Sequence, residues 1–146
     1  MTDAEYANWR TATERGYAAD ITASGALSAE QAAAMAADQF AQLLPDGLRT
    51  VDQSFLCLCA GGEVVATNWI QHHRSPGVSW VYGVETYEQH RGKGYGRAAM
   101  VIGERATLAA GDTHLALNVF GHNSVAIGLY TSMGYRKYDE GRSADL

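Results

Sequence analysis

The stretch Gln89-His90-Arg91-Gly92-Lys93-Gly94-Tyr95-Gly96-Arg97 concentrates chemistry in a short piece of chain. Three glycines at alternate positions let the backbone turn tightly and approach a ligand closely, because no Cβ stands in the way. Arg91, Lys93 and Arg97 add three cations. The preceding run, Ser79 to Thr86, reads as a strand, and the following run, Ala98 to Ala110, reads as a helix. A helix start offers unpaired N–H groups and the positive end of the peptide dipoles. A strand, glycine loop and helix in this order form an anion cradle, most often for phosphate. Two common phosphate loops do not fit. Gly96 is followed by Arg97 and Ala98, not by the Lys and Ser or Thr of a nucleoside-triphosphate loop. The dinucleotide pattern is met only in its looser form, from Gly94 to Ala99. The acid at the required distance, Asp112, then falls in a turn ahead of a strand instead of at the end of one.

A second stretch, Leu117 to Tyr135, reads as a strand running into a helix. Asn123 and Tyr130 fall near one face of that helix, roughly 10 Å apart along its axis. Both are polar groups on an otherwise apolar segment. One can anchor a ligand while the other reaches its reactive end. Equally, Asn123 can be a helix cap and Tyr130 a core tyrosine with a single hydrogen bond.

Arg91-Gly92-Lys93-Gly94-Tyr95-Gly96 matches the pattern [QR]-x-x-G-x-[GA]. Asn123, Ala126, Leu129, Tyr130, Gly134 and Tyr135 match N-x-x-A-x-x-L-Y-x-x-x-G-[FY], following a strand that ends in an asparagine, Asn118. In this order and separation the two segments resemble the signatures of the GNAT N-acetyltransferase superfamily. The resemblance covers Trp80 to Tyr138 closely and the upstream part more loosely. It implies an α/β fold of mixed α+β type: one central mixed sheet, helices on both faces, and two parallel strands splayed into a V that holds acetyl-CoA, the acyl donor. The pyrophosphate would meet the N–H groups of Gly92, Lys93, Gly94, Tyr95, Gly96 and Arg97, with charge from Arg91 or Lys93. Asn118 and Asn123 would lie along the pantetheine arm. A bulge over Val84-Glu85-Thr86 would turn a backbone N–H onto the thioester carbonyl as an oxyanion donor.

The same resemblance implies direct attack by an acceptor amine, with Tyr130 as general acid toward the leaving thiolate. A phenol of pKa about 10 is suited to that role beside a thiol of about 8.5. The attacking amine must lose a proton. Glu85 is the first candidate base, because it is an acid on the strand that meets the thioester; water relayed to Glu85 or Glu88, or loss to solvent, are the alternatives. The acceptor is expected to be a small-molecule amine or amino-acid-like metabolite, with Tyr6, Trp9, Trp69, Gln71, Trp80 and Tyr82 as pocket walls. Two other functions share these features: the same fold with another acyl or aminoacyl donor, and an acyl-CoA-binding module without turnover.

The elements that must position these groups are legible in outline. The 146 residues suit one domain spanning the chain, and 47% hydrophobic content suits a real core. A net charge of −5 argues against a general nucleic-acid binder, so the basic cluster is local. No apolar run is long enough to span a membrane and no signal core opens the chain, which points to the cytoplasm. Cys57 and Cys59 read as small core residues, and His72 and His73 as solvated loop residues; neither pair suggests a metal.

Thr2 can cap a helix over Asp3 to Ala23 with a stripe of Tyr6, Trp9, Thr13, Tyr17 and Ile21. Ser28 to Gln31 reads as a capping box for a second helix. Ser54–Ala60 and Glu63–Ile70 form a hairpin about Gly61-Gly62. Val78–Thr86 is the next strand. The helix after the loop turns Ala98, Val101, Ile102, Leu108 and Ala109 inward. His114–Phe120 is a strand, Asn123 or Ser124 caps the last helix, and a final strand starts at Tyr135. No strand precedes the first helix and little remains for a last one. Such a reduced sheet exposes an edge that a homodimer or the chain's own end would cover.

Overall fold

The computed structural model describes residues 1–138. Helix α1 (Asp3–Ala23) and helix α2 (Ala29–Leu43) open the chain, each started by a reciprocal capping box. Thr2 and Glu5 exchange bonds at one, Ser28 and Gln31 at the other, so orphan N–H groups at both starts are satisfied. Strands β1 (Gln53–Ala60), β2 (Glu63–Ser75) and β3 (Val78–Thr86) follow, then α3 (Tyr95–Ala109), β4 (His114–Leu117) and α4 (Ser124–Ser132). The sheet order is β1-β2-β3-β4, antiparallel except for the parallel β3–β4 pair. The β1–β2 turn is the expected Gly61-Gly62 pair, with φ of 59° and 85°.

Strand alternation divides the core in two. Phe55, Trp69 and Tyr82 face α1 and α2, where they pack with Tyr6, Trp9, Phe40 and Leu44. Trp69 is the centre of this group: it stacks on Tyr82 at 4.7 Å between ring centroids and meets Trp9 edge-on at 5.4 Å. Leu56, Ile70, Val81 and Val84 face the other way, toward Met100 of α3 and toward Tyr130 and Met133 of α4.

Several expectations change. The inward side of α3 is Ala99, Met100, Gly103 and Thr107, while Leu108 is 66% exposed. The helix approaches β2 through its small residues: a Cβ on Gly103 would stand 2.6 Å from Asn68 Nδ2, the group that donates to the Ala99 carbonyl at 3.0 Å. β4 ends at Leu117, leaving Val119 and Phe120 exposed. Residues 135–138 are not a strand, and the remainder of the strand expected from Tyr135 lies outside the described residues. Cys59 is exposed and Cys57 half-buried, so neither is a core residue.

The histidines are the sharpest correction. β2 runs on through both of them to Ser75, and His72 is buried. Its Nε2 meets Ser54 Oγ at 2.7 Å and its Nδ1 meets Ser79 Oγ at 2.8 Å. Ser79 donates to Asp112 Oδ2 at 2.7 Å, and the backbone N–H of His73 donates to the same oxygen. This chain of polar groups ties β1, β2 and β3 to the segment after α3, at the end of the sheet away from the glycine loop. The Ser79 hydroxyl serves two partners at its centre, so the chain is costly to break. Ser79→Ala should lower unfolding free energy by about 2 kcal/mol in urea titrations, because buried partners lose their bonds.

Stability should also fall in acid. Burial lowers the His72 pKa from its ordinary 6.5, so its contribution is full above that value and is lost as pH falls further. Bonds from His73 N–H and then Ser79 hold Asp112 at about 2, below its ordinary 3.8; its contribution is lost between those two values. Urea midpoints measured from pH 8 downward should therefore begin to drop in the mid-6 range and drop again below about 4.

Candidate active site

The loop forms as its glycines require. β3 ends at Thr86, a short 3₁₀ turn covers Glu88–His90, and Gly92 and Gly94 take φ of 76° and 84°. These left-handed values are strained for a residue with a side chain. Gly94 is the N-cap of α3 and offers no side-chain cap. The first helical bond runs from Ala98 N–H to Gly94 C=O at 3.2 Å, which leaves the preceding N–H groups for a ligand or solvent. Arg91 folds back, its Nε donating to Thr86 C=O at 3.1 Å, and Arg97 reaches Ser132 Oγ on α4. Lys93 is exposed and makes no hydrogen bond among the described residues. Tyr95 packs edge-on against His90, and Gly96 lies where α3 meets Thr86 and Leu129.

β3 and β4 pair only from Val78–His114 to Val81–Leu117. Beyond that point β3 continues to Thr86, still paired with β2 on its other edge, and β4 stops. The edge of Gly83 to Thr86 that faces away from β2 is thus open. This is the expected V.

The bulge is not where it was expected. Register with β2 shifts between Trp69–Gly83 and Ile70–Val81, so the extra residue is Tyr82, ahead of Val84-Glu85-Thr86. A bulge inserts one residue and reverses the alternation after it. Val84 consequently joins Val81 on the α3 side, and Glu85 turns to the α1 side.

Tyr130 lies on the opposite face from Glu85. Its ring packs on the Ile70, Val81 and Met100 cluster beside Val84 and Leu117, one side chain from each arm of the V. Its hydroxyl has no partner among the described residues, and burial pushes its pKa up. Tyr135 is 5.8 Å away, ring to ring, and donates to Glu104. Asn118 stands exposed just past β4. Asn123 caps α4, its Oδ1 accepting from Ala126 N–H at 3.2 Å, so the cap and not the free anchor is the role its oxygen fills.

On the Glu85 face is a cavity of about 400 Å³, between α1 and the splayed end of the sheet. Cys57, Thr67 and Glu85, neighbours across β1, β2 and β3, form its floor. Glu5, Asn8 and Trp9 line it from α1. Its volume is in the range of small-molecule sites. Of the six expected wall residues only Trp9 lines it. Tyr6, Trp69 and Tyr82 are spent in the core, with the Trp69 indole donating to Gln53 and the Tyr82 hydroxyl to Gln71. Glu5, Asn8, Thr67 and Tyr87 carried no motif. The one available signal was the spacing of Glu5, Asn8 and Trp9, which places all three near one side of α1. Among the described residues no group of His, Cys, Asp and Glu could hold a metal, and no helix is long and apolar enough to cross a membrane.

A family model described as the acetyltransferase (GNAT) family matches residues 17–135. An uncharacterized N-acetyltransferase of Bacillus subtilis (strain 168), YycN, is 29% identical over 143 residues, covering 95% of this chain and 91% of its own. The crystal structure of YycN superimposes with a TM-score of 0.87 at 30% identity, covering 100% of this chain and 95% of that one. More distantly, the aminoglycoside N-acetyltransferase AAC(6')-Iy, solved in complex with CoA, shares the fold with a TM-score of 0.58 at 14% identity over 75% of this chain and 89% of its own.

Proposed function

Because the chain belongs to the acetyltransferase (GNAT) family and is on that ground an acyltransferase, we propose that it transfers an acetyl group from acetyl-CoA directly to the amine of a small molecule. One observation carries this reading. The glycine cradle follows the open edge of β3, Glu85 on that edge lines a cavity on the α1 side, and Tyr130 packs in the cluster on the α3 side to which Val84 of the same edge belongs. The residues fit the donor: unpaired N–H groups at the α3 start suit a pyrophosphate, and unpaired backbone groups along Gly83 to Thr86 suit an amide-rich arm. That a neighbour of this fold is solved with CoA agrees with this fit.

When bound, acetyl-CoA supplies an activated thioester. Glu85 faces the acceptor cavity and accepts the proton that the amine must lose, directly or through water. The C–N bond forms, the C–S bond breaks with its electron pair on sulfur, and sulfur gains a proton or hydrogen bond on the Tyr130 side. Val84 and Thr86 present backbone to the arm, Lys93 and Arg91 add exposed positive charge near the cradle, and Asn118 and the Asn123 amide lie past the end of β4.

Incubation with acetyl-CoA and a panel of primary amines tests the reading, with free thiol and acylated amine both measured. Thiol release that depends on the amine, with a matching acetylated product, is expected. Tight acetyl-CoA binding without acylated product from any amine or any acyl-CoA would leave a binding module instead.

A further inference from the structure

The cavity beside Glu85 has a chemistry of its own, and it allows the acceptor to be narrowed. Among the described residues its wall carries two carboxylates, Glu5 and Glu85, and no Lys, Arg or His. Among the described residues that line it the one cation is the Met1 ammonium, which donates to the Phe55 carbonyl at 3.4 Å and also acts on Glu5 through its charge. Glu5 is held in place by the capping box: its Oε2 accepts from Thr2 N–H at 2.6 Å and its other oxygen stays uncommitted. The same bonds lower its pKa, so it is ionised at neutral pH. A second observation points to a ligand. Thr67 is 3% exposed, on the cavity floor beside Glu85, and its hydroxyl bonds to nothing among the described residues. A hydroxyl at the cavity floor that no protein group engages is open to a bond from whatever enters the cavity. Trp9, Ala12 and Val64 give the remaining wall an apolar stretch.

We infer that the acceptor is a small linear diamine, a primary amine carrying a second cationic centre and no carboxylate. The inference rests on the acyl-transfer reading above. The reacting nitrogen lies toward Glu85 and the V, where its proton is taken. The second nitrogen stays protonated against Glu5 and takes no part in bond making. The methylenes between them cover the apolar wall, and Thr67 accepts from one of the N–H groups. A carboxylate in place of the second ammonium would face Glu5 as a like charge. Transfer removes the charge at the reacting end. The product then has only one ammonium, and a second acetylation would have to place the neutral amide against Glu5. The enzyme should therefore stop at the monoacetylated diamine.

The test uses the intact chain, acetyl-CoA and three acceptors of equal length: an α,ω-diamine, the matching monoamine and the matching ω-amino acid. The diamine should exceed the monoamine in kcat/KM by about two- to fivefold, the range one exposed ion pair supports. The amino acid should fall below the monoamine, and monoacetyl diamine should accumulate. Glu5→Gln keeps an oxygen to accept from Thr2, so the cap survives; the diamine-to-monoamine ratio should then fall to about one. Equal turnover of all three acceptors, a preferred amino acid, or a ratio untouched by Glu5→Gln would overturn the inference while leaving acetyl transfer intact. No acylated product from any amine would overturn both.

Discussion

Tyr130→Phe should reduce kcat about a hundredfold, the lower end of what a positioned acid contributes, with acetyl-CoA affinity unchanged. The expectation follows from where the hydroxyl stands. The Tyr130 ring is on the α3 side of the V, packed on the same Ile70, Val81 and Met100 cluster as Val84 and Leu117, and the hydroxyl has no partner among the described residues. Burial raises its pKa, so the phenol stays protonated throughout the working pH range. The same shift makes full proton transfer to a thiolate less favourable. The rate contribution is then a hydrogen bond given to sulfur as charge develops on it, a group preorganised for the transition state. Binding by calorimetry and turnover by thiol release separate the two quantities. A variant with unchanged kcat would remove Tyr130 from the reaction. A variant with weakened binding and unchanged kcat would make it a wall of the cofactor site only.

Gly103→Val should strongly destabilise the fold. An ideal Cβ at this position lies 2.6 Å from Asn68 Nδ2 and 3.1 Å from Ile70 Cδ1. Asn68 and Ile70 are both fully buried on β2, so neither can swing aside into solvent. Overpacking of this kind costs about 1–3 kcal/mol, and loss of the buried bond from Asn68 to the Ala99 carbonyl costs about as much again. The gain in helix propensity from replacing glycine is smaller, below about 1 kcal/mol. The sum is a loss of about 4 kcal/mol and a melting temperature lower by roughly 12 °C. Gly103→Ala should lose about half as much. Because α3 carries the glycine loop at its start, a displaced α3 would also weaken cofactor binding. Thermal melts that match the parent protein would mean that α3 can shift on β2 without cost.

Much of the fold was readable because its signals are short-range. Capping boxes at Thr2 and Ser28, the Gly61-Gly62 turn, and a glycine loop between a strand and a helix each lie within a few residues of chain. The spans of α1 and β3 agreed with their patterns for the same reason. The Asn123 cap and the left-handed Gly134 after α4 are equally local. The proposed donor half of the site is built from such pieces, so its candidate residues could be named from the sequence.

The acceptor half could not, and the cause is physical. Which face Glu85 takes depends on one inserted residue, Tyr82, whose ring stacks on Trp69 of the neighbouring strand. Nothing in the local pattern marks it, because a bulge leaves composition unchanged and only shifts the alternation. Likewise α3 presents Ala99, Met100 and Gly103 inward, and not Leu108, with Gly103 placed where β2 offers Asn68 and Ile70 at close range. His72, Ser79 and Asp112 are distant in sequence and acquire their partners only when the sheet is assembled. The sequence by itself determined most of the elements, their order and the glycine loop, since each rests on contacts between near neighbours. Only the tertiary structure decided that Glu85 and Tyr130 stand on opposite sides of the V and that Glu5 and Thr67 share the cavity. Those placements depend on register and packing between segments far apart along the chain.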